Sequence, residues 1–331
     1  MIGHLHKVVN GKSVLLRQFI YLGQRISAVS VNVLTRHAAA ERGQNDKNNK
    51  MREAIIGAII NDCVPATYYR TERWRVLKTA VDGFLRECAG DRYSRVECIH
   101  AAGRGHNYDF AVQFFTHDNT GVTTANVEFK FNAAKVSDAP QFVSPMKPSQ
   151  YLSASYEEYF YDTYLMIIAA AAGASCAIPS RADWLKQIHN NAPVCVKELQ
   201  DKYYAGCANS SQFTNVADDI AFYELCKKVS TESIRAFISE HDLDVAKLSE
   251  YLRESQDGKT YMLFQPASVS AGPGPVITLQ RVDPDDYNIV SCVKNPAKSR
   301  YECETKSGKK INVLLRWKNG NGIAFPAFQI S

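Results

Sequence analysis

The sequence predicts an α/β fold: a mixed central sheet flanked by helices, with a helical insertion and a β-rich C-terminal part. Three observations predict it. Apolar residues recur at helical spacing through residues 51–60 and 73–89, and the period then falls to two across 93–132. Helical patterning returns from 152 to about 256, and after "SVSAGPGPV" (268–276) the chain alternates again like short strands.

The elements follow in order. Residues 35–50, "TRHAAAERGQNDKNNK", are polar and are expected to form an exposed loop. "MREAIIGAII" starts a helix, with Ile56 and Ile60 on one side and Ile55 and Ile59 beside them. In the helix over 73–89, Leu77, Ala80, Val81, Phe84 and Leu85 keep a 3.6-residue period. "YSRVECIH" (93–100), "YDFAVQFF" (108–115) and "TANVEFKFN" (124–132) are aromatic and β-branched and read as strands. "HDNTG" between the last two is a turn signal, so they form a hairpin. Residues 136–151 hold three prolines and read as loop.

A long helix over 152–172 starts near Ser153 or Ser155, and its Tyr156, Tyr159, Phe160 and Tyr164 read as core packing. From Ser180 to 256 the pattern is helical, with breaks at 190–193 and 206–211 and with Asp242 as an N-cap. "WKNGNGIAF" predicts a hairpin, because Asn-Gly steps tolerate the positive φ of tight turns.

Composition bounds the function. A chain of 331 residues can bury one elaborated core or two modest ones. A formal charge of +5 is compatible with a polyanionic partner without requiring one. None of the nine cysteines forms a C-x-x-C pair or a zinc-type cluster, so no structural zinc is expected, and reduced thiols in an intracellular compartment are. Lys7, Lys12, Arg17 and Arg25 break the apolar stretches near the N-terminus, which argues against secretion; a cytoplasmic location is expected, or a nuclear one in a eukaryote. The apolar run 165–178 spans fourteen residues, too few for a bilayer, so it reads as a buried helix and no membrane partner is expected. No Ser/His/Asp or Cys/His nucleophile motif, Walker loop or dinucleotide loop is present.

The hairpin holds the chemistry. Glu128 and Lys130 project to one face of their strand and Phe129 to the other. If paired positions sum to 237 or 239, Asp109 shares the face of Glu128 and Lys130; if they sum to 238, it faces away. In the favourable register two carboxylates converge beside an ammonium. Such carboxylates repel unless a cation lies between them, and hard oxygen ligands suit Mg²⁺, with Mn²⁺ as a substitute. A neighbouring lysine can orient an attacking water and stabilise developing negative charge, so the set suits metal-assisted phosphodiester hydrolysis.

Helix, strand, strand opening with Asp, strand carrying E-x-K, helix: over about residues 50–170 this order resembles the core of the PD-(D/E)-x-K nucleases. That superfamily includes type II restriction endonucleases, Holliday junction resolvases and the cap-snatching endonucleases of some RNA viruses. The resemblance implies that Asp109 is the motif aspartate, Glu128 the second acidic ligand and Lys130 the catalytic lysine. Many members add a glutamate from an early helix, and "NKMREAIIGAI" offers Glu53; Glu72, opening the next helix, is its rival. A glutamate near a helix N-terminus is also favoured by the helix dipole alone. Tyr108 stands where the motif has proline.

The resemblance further implies a restriction-endonuclease-like core, with residues 1–180 as nuclease core, 181–260 as helical elaboration and 261–331 as a β-rich, DNA-contacting part. It implies a site-specific, Mg²⁺-dependent endonuclease of double-stranded DNA that leaves 5′-phosphate ends and works as a homodimer matched to a palindromic site. The alternatives are an RNA endonuclease with the same metal site and a non-catalytic nucleic-acid-binding protein. Arg104 and His106 in "GRGHN" lie close enough in sequence to Asp109 to touch a phosphate. Eight basic residues between Lys294 and Lys318, among them Lys309, Lys310, Arg316 and Lys318, suit either phosphate contacts or protection of a sheet edge.

Overall fold

An antiparallel meander that the periodicity did not predict opens the chain: β1 (Ile2–Val9), β2 (Lys12–Tyr21) and β3 (Gln24–Ser27). Its β2–β3 turn is the Leu22-Gly23 step, where both residues adopt positive φ (47° and 72°), the geometry of a tight hairpin turn. Helices α1 (Arg42–Ile60) and α2 (Glu72–Ala89) follow, then strands β4 (Tyr93–His100), β5 (Phe110–Thr116) and β6 (Val122–Phe131). After the short strand β7 (Gln141–Phe142) come α3 (Tyr156–Phe160), a π-helical turn (Tyr161–Leu165) and α4 (Met166–Ala172). Helices α5 (Arg181–Ile188), α6 (Lys197–Gly206), α7 (Ala217–Glu240) and α8 (Val245–Gln256) lead into β8 (Lys259–Gln265) and β9 (Val276–Arg281). Strands β10 (Ile289–Asn295), β11 (Arg300–Thr305), β12 (Lys310–Lys318) and β13 (Phe325–Ile330) end the chain. The computed structural model describes residues 2–9, 12–35, 42–90, 93–101, 107–117, 121–138, 141–143, 147–173, 176–188, 196–268, 274–318 and 320–331.

Two compact units share the chain, one made of Met1–Ala139 with Gly258–Val282 and the other of Pro140–Asp257 with Asp283–Ser331. These lines differ from a division at residues 180 and 260. The reason is β8, which pairs in parallel with β6 and so returns residues 258–282 to the first sheet. The helix read over 152–172 therefore falls in the second unit, as does all of α5 to α8.

The first unit is built on a mixed five-stranded sheet in the order β4-β5-β6-β8-β9, with β6 and β8 parallel and the other pairs antiparallel. Alternation gives this sheet one strongly apolar face. Phe110, Val112 and Phe114 of β5, Val127 and Phe129 of β6, and Met262 and Phe264 of β8 pack with Ile55, Ile56 and Ile59 of α1 and Trp74, Leu77, Val81 and Phe84 of α2. Each such side chain removed from water contributes roughly 1.5–3 kcal/mol. β8 is buried along nearly its whole length, so it reads as a continuous apolar run, as expected of a parallel strand covered on both faces.

Asn61, just beyond α1, ties the meander to the sheet. Its amide nitrogen donates to Tyr21 Oη (2.7 Å) and to the Cys98 carbonyl (2.8 Å), while its oxygen accepts from Cys98 N (2.6 Å). The Tyr21 ring crosses α1 at Gly57, where a Cβ would stand 3.0 Å from the phenol.

The second unit holds an antiparallel sheet in the order β10-β11-β12-β13-β7, with β12 and β13 joined by the hairpin that "WKNGNGIAF" predicted. Its core gathers Tyr156, Phe160, Phe237 and Trp317. The buried Tyr156 hydroxyl pairs with Ser233 Oγ (2.9 Å) and accepts from Trp317 Nε1 (2.9 Å), so it finds its partners inside the core. Gly322 has a φ of +75°, and a Cβ there would lie 2.7 Å from Phe160 Cζ, so this turn needs glycine twice over.

Three local expectations are corrected. Residues 42–50, read as loop, form the first half of α1, where polar side chains face solvent and Gln44 donates to Asn48 one turn on. The single helix over 152–172 is instead α3, a π-helical turn and α4, and it begins at Tyr156 with Ser155 Oγ accepting from Glu158 N. Asp242 does not cap α8: Asp244 does, accepting from Lys247 N, while Asp242 pairs with Lys294 at 2.8 Å. Among the described residues, no helix is long and apolar enough to cross a membrane.

Asn61→Ala leaves the half-buried Tyr21 hydroxyl and two backbone groups of β4 without this partner. The expected loss is about 2–3 kcal/mol of unfolding free energy, measured by urea denaturation.

Candidate active site on the β5–β6 ribbon

The register of β5 against β6 decides whether any site exists. Phe110 pairs with Val127 and Ala111 with Asn126, so partner numbers sum to 237. Asp109 stands one residue ahead of β5, with its N–H donating to the carbonyl of Val127, the register partner of Phe110 (3.0 Å), and its carbonyl accepting from Ala101 N (2.8 Å). The Asp109 side chain closes the arrangement by accepting from Phe129 N at 2.9 Å. This carboxylate therefore bonds to the backbone between the two residues of the E-x-K pair.

Glu128 and Lys130 sit on the opposite sheet face from Phe129, and the Lys130 ammonium meets Glu128 Oε1 at 2.5 Å. The parallel pairing of β6 with β8 sets Lys259 opposite Asn126, on that same face. Lys259 Nζ lies 3.9 Å from Glu128 Oε2, and its side chain is only 7% exposed. Sequence reading missed this residue. Its signal was a lone charge opening the otherwise apolar run "KTYMLFQ", and only the parallel pairing assigns it to the site.

Electrostatics separate the two carboxylates. Burial, then the nearby charge of Glu128, pushes the Asp109 carboxyl up to about 7, against a lesser pull from the Phe129 N–H. Glu53 adds a smaller push and Lys130 a smaller counter-pull. Burial pushes the Lys259 ammonium down, and Glu128 draws it partly back. One carboxylate is thus held between two ammonium groups, while the other makes no ion pair among the described residues.

Glu53 is placed differently from the hairpin residues. Its carboxylate meets His100 Nε2 at 3.1 Å, and His100 packs edge-on against Phe110, on the helix-covered face of the sheet. Glu53 reaches Asp109 through its field. Glu53 and His100 line a cleft of about 790 Å³ with Leu22, Gln24, Asp46, Asn49 and Lys50. Glu72 instead borders a separate cavity of about 330 Å³ beside Leu77 and Phe264. Arg104 and His106 lie outside the described residues.

The basic C-terminal residues are largely engaged within their own unit. Lys309 pairs with Asp286, Lys306 with Asp285 (3.1 Å) and Arg300 with Glu302. Arg316 donates to Gln329 at 2.6 Å, and Lys310 stands exposed across from Glu304. Lys318 lies half-buried at the end of β12.

Among the described residues, no three histidine, cysteine or carboxylate side chains are gathered into a metal cage. The donor chemistry of Asp109 and Glu128 nevertheless fits a hard divalent ion, because the charge of Glu128 beside the half-buried Asp109 carboxyl is one that a cation would compensate. No protein-family model matches this chain, and no curated protein matches it either.

The raised Asp109 carboxyl makes metal-free stability depend on pH. Between about pH 4 and 7 the folded state holds a proton that the unfolded state releases, so stability falls as pH rises through that window. Asp109→Asn keeps an acceptor for Phe129 N and removes the charge. In EDTA at pH 8 it should unfold with a free energy higher by on the order of 1–3 kcal/mol, the gain shrinking at pH 5. Urea denaturation at the two pH values measures both.

Proposed function

We propose that this chain is a divalent-metal-dependent endonuclease of the PD-(D/E)-x-K type, with a restriction-endonuclease-like core in its first unit. The observation that carries the reading is the hairpin register of 237, which joins Asp109 to the E-x-K pair through the Phe129 N–H. The mixed sheet supports it, since α1 and α2 followed by β4, β5 and β6 keep the helix, strand, strand, strand part of the order that the resemblance names. Double-stranded DNA is the proposed substrate, cut at specific sites by a homodimer.

Asp109 and Glu128 would hold Mg²⁺ or Mn²⁺, with solvent and phosphate oxygens as further ligands, and the ion would supply Lewis acidity at the scissile phosphate. The remaining steps belong to the chain. Lys130, now on Glu128, turns to the phosphodiester, where its ammonium orients the attacking water and offsets negative charge developing on the phosphoryl oxygens. The partly buried ribbon limits bulk water around these groups, which strengthens each interaction. In-line attack on phosphorus then releases a 3′-hydroxyl and leaves a 5′-phosphate.

Purified protein incubated with unmethylated phage DNA should give discrete fragments with Mg²⁺ and none with EDTA. Lys130→Ala should cut at least about 10²-fold more slowly, as expected when one stabilising donor is lost. Cleavage of RNA alone would move the reading to a ribonuclease with the same site. No cleavage of duplex DNA, branched DNA or RNA would refute the nuclease reading.

A further inference from the structure

Glu128 is held by two lysines although one suffices to neutralise it: Lys130 on one oxygen at 2.5 Å and Lys259 toward the other at 3.9 Å. The two are unequal. Lys130 has a 21% exposed side chain, while Lys259 is 7% exposed and is fixed by backbone pairing to the neighbouring strand. If Lys130 turns to the substrate, Glu128 keeps only Lys259 as an ion-pair partner among the described residues, and it stands near Asp109, a like charge that repels it. Something must keep the Glu128 carboxylate aimed during that turn.

We infer that Lys259 is a positioning residue that holds the Glu128 carboxylate when Lys130 leaves it for the phosphodiester. This rests on the nuclease reading for its catalytic half and on the ion pair alone for its structural half. Lys130 is then the mobile cation and Lys259 the stationary one, and they divide work that a single lysine cannot do at once. Lys259, with only 7% of its side chain exposed, serves Glu128 and not the substrate.

Two readouts test it. In metal-free protein, Lys259→Met should lower the melting temperature by about 3–6 °C, and in a Glu128→Gln background by less than about a third of that. In turnover of whichever phosphodiester the wild type cleaves, Lys259→Met should reduce kcat about 10²-fold with KM changed less than about threefold, and Lys259→Arg should recover most of the rate. Equal melting shifts in both backgrounds would overturn the pairing. Coupled melting with unchanged kcat would overturn positioning while leaving the nuclease reading intact. A wild type inactive on every nucleic acid would overturn the nuclease reading and the catalytic half, and the melting cycle would still decide the ion pair.

A second, independent observation lies in the other unit. Cys292 of β10 and Cys303 of β11 are register partners on neighbouring antiparallel strands, with Cys303 donating to Cys292 across a Sγ–Sγ distance of 3.4 Å. We propose that this pair is a dithiol site that peroxide converts to a disulfide linking β10 to β11. The Cys292 sulfur attacks a peroxide oxygen, giving a sulfenic acid and expelling hydroxide. The Cys303 sulfur then attacks that sulfenic sulfur, its proton and the departing hydroxide forming water, so two thiols and one hydrogen peroxide yield one disulfide and two waters. The bond received from Cys303 holds the Cys292 thiol below its usual range, which favours the attacking thiolate.

Trypsin cuts after Lys294, Lys298 and Arg300, so the link would join two otherwise separate peptides. Full-length protein treated with hydrogen peroxide and digested without reductant should yield that joined species, lighter by two hydrogens and lost on reduction. Cys292→Ser should leave Cys303 as a thiol. If exposed Cys63 is oxidised while residues 292 and 303 stay unlinked, the proposal fails.

Discussion

One hydrogen bond, from Phe129 N to the Asp109 carboxylate, depends on a register that a single-residue slip would destroy. The apolar face of the sheet enforces that register. Phe110, Val112 and Phe114 must meet Val127 and Phe129 on the side covered by α1 and α2, and a slip by one would turn all of them to the opposite face. Several buried aromatic rings therefore position one carboxylate. The catalytic proposal stands on this link between core packing and the placement of three polar side chains.

The same packing creates an electrostatic imbalance. Glu128 is held between Lys130 and Lys259, while Asp109 takes the Phe129 N–H, the fields of two glutamates and a smaller counter-pull from Lys130. A fold selected for stability alone would put an apolar or neutral residue at Asp109. Among the described residues this half-buried carboxylate has no ion-pair partner, and under the proposed reading a bound cation would relieve what its charge costs the protein.

Charge in the second unit follows the opposite rule. Lys306 and Lys309 are matched by Asp285 and Asp286, Arg300 by Glu302, and Lys294 by Asp242. Pairing within the unit leaves a modest field for a polyanion, and lysines along exposed strands also discourage edge-to-edge sheet association. The basic run that stands out in the sequence is, in the fold, mostly one half of a set of surface ion pairs.

The sequence by itself determined α2, the three central strands, the hairpin at 310–330 and the candidate trio Asp109, Glu128 and Lys130, because these rest on local periodicity and short spacing. The N-terminal meander was not read from the sequence, since its turn at Leu22-Gly23 puts a leucine at positive φ, where residue preference gives no signal. Only the tertiary structure decided the hairpin register, since patterning alone allows partner sums one apart. It also decided the place of Lys259, which is 131 residues from Glu128 in sequence and reaches it through a parallel strand pairing. Glu53 drew its neighbour His100 the same way, by helix packing that no spacing rule describes. Local preferences fix what a segment becomes; which distant charges meet depends on how whole sheets close over their apolar faces.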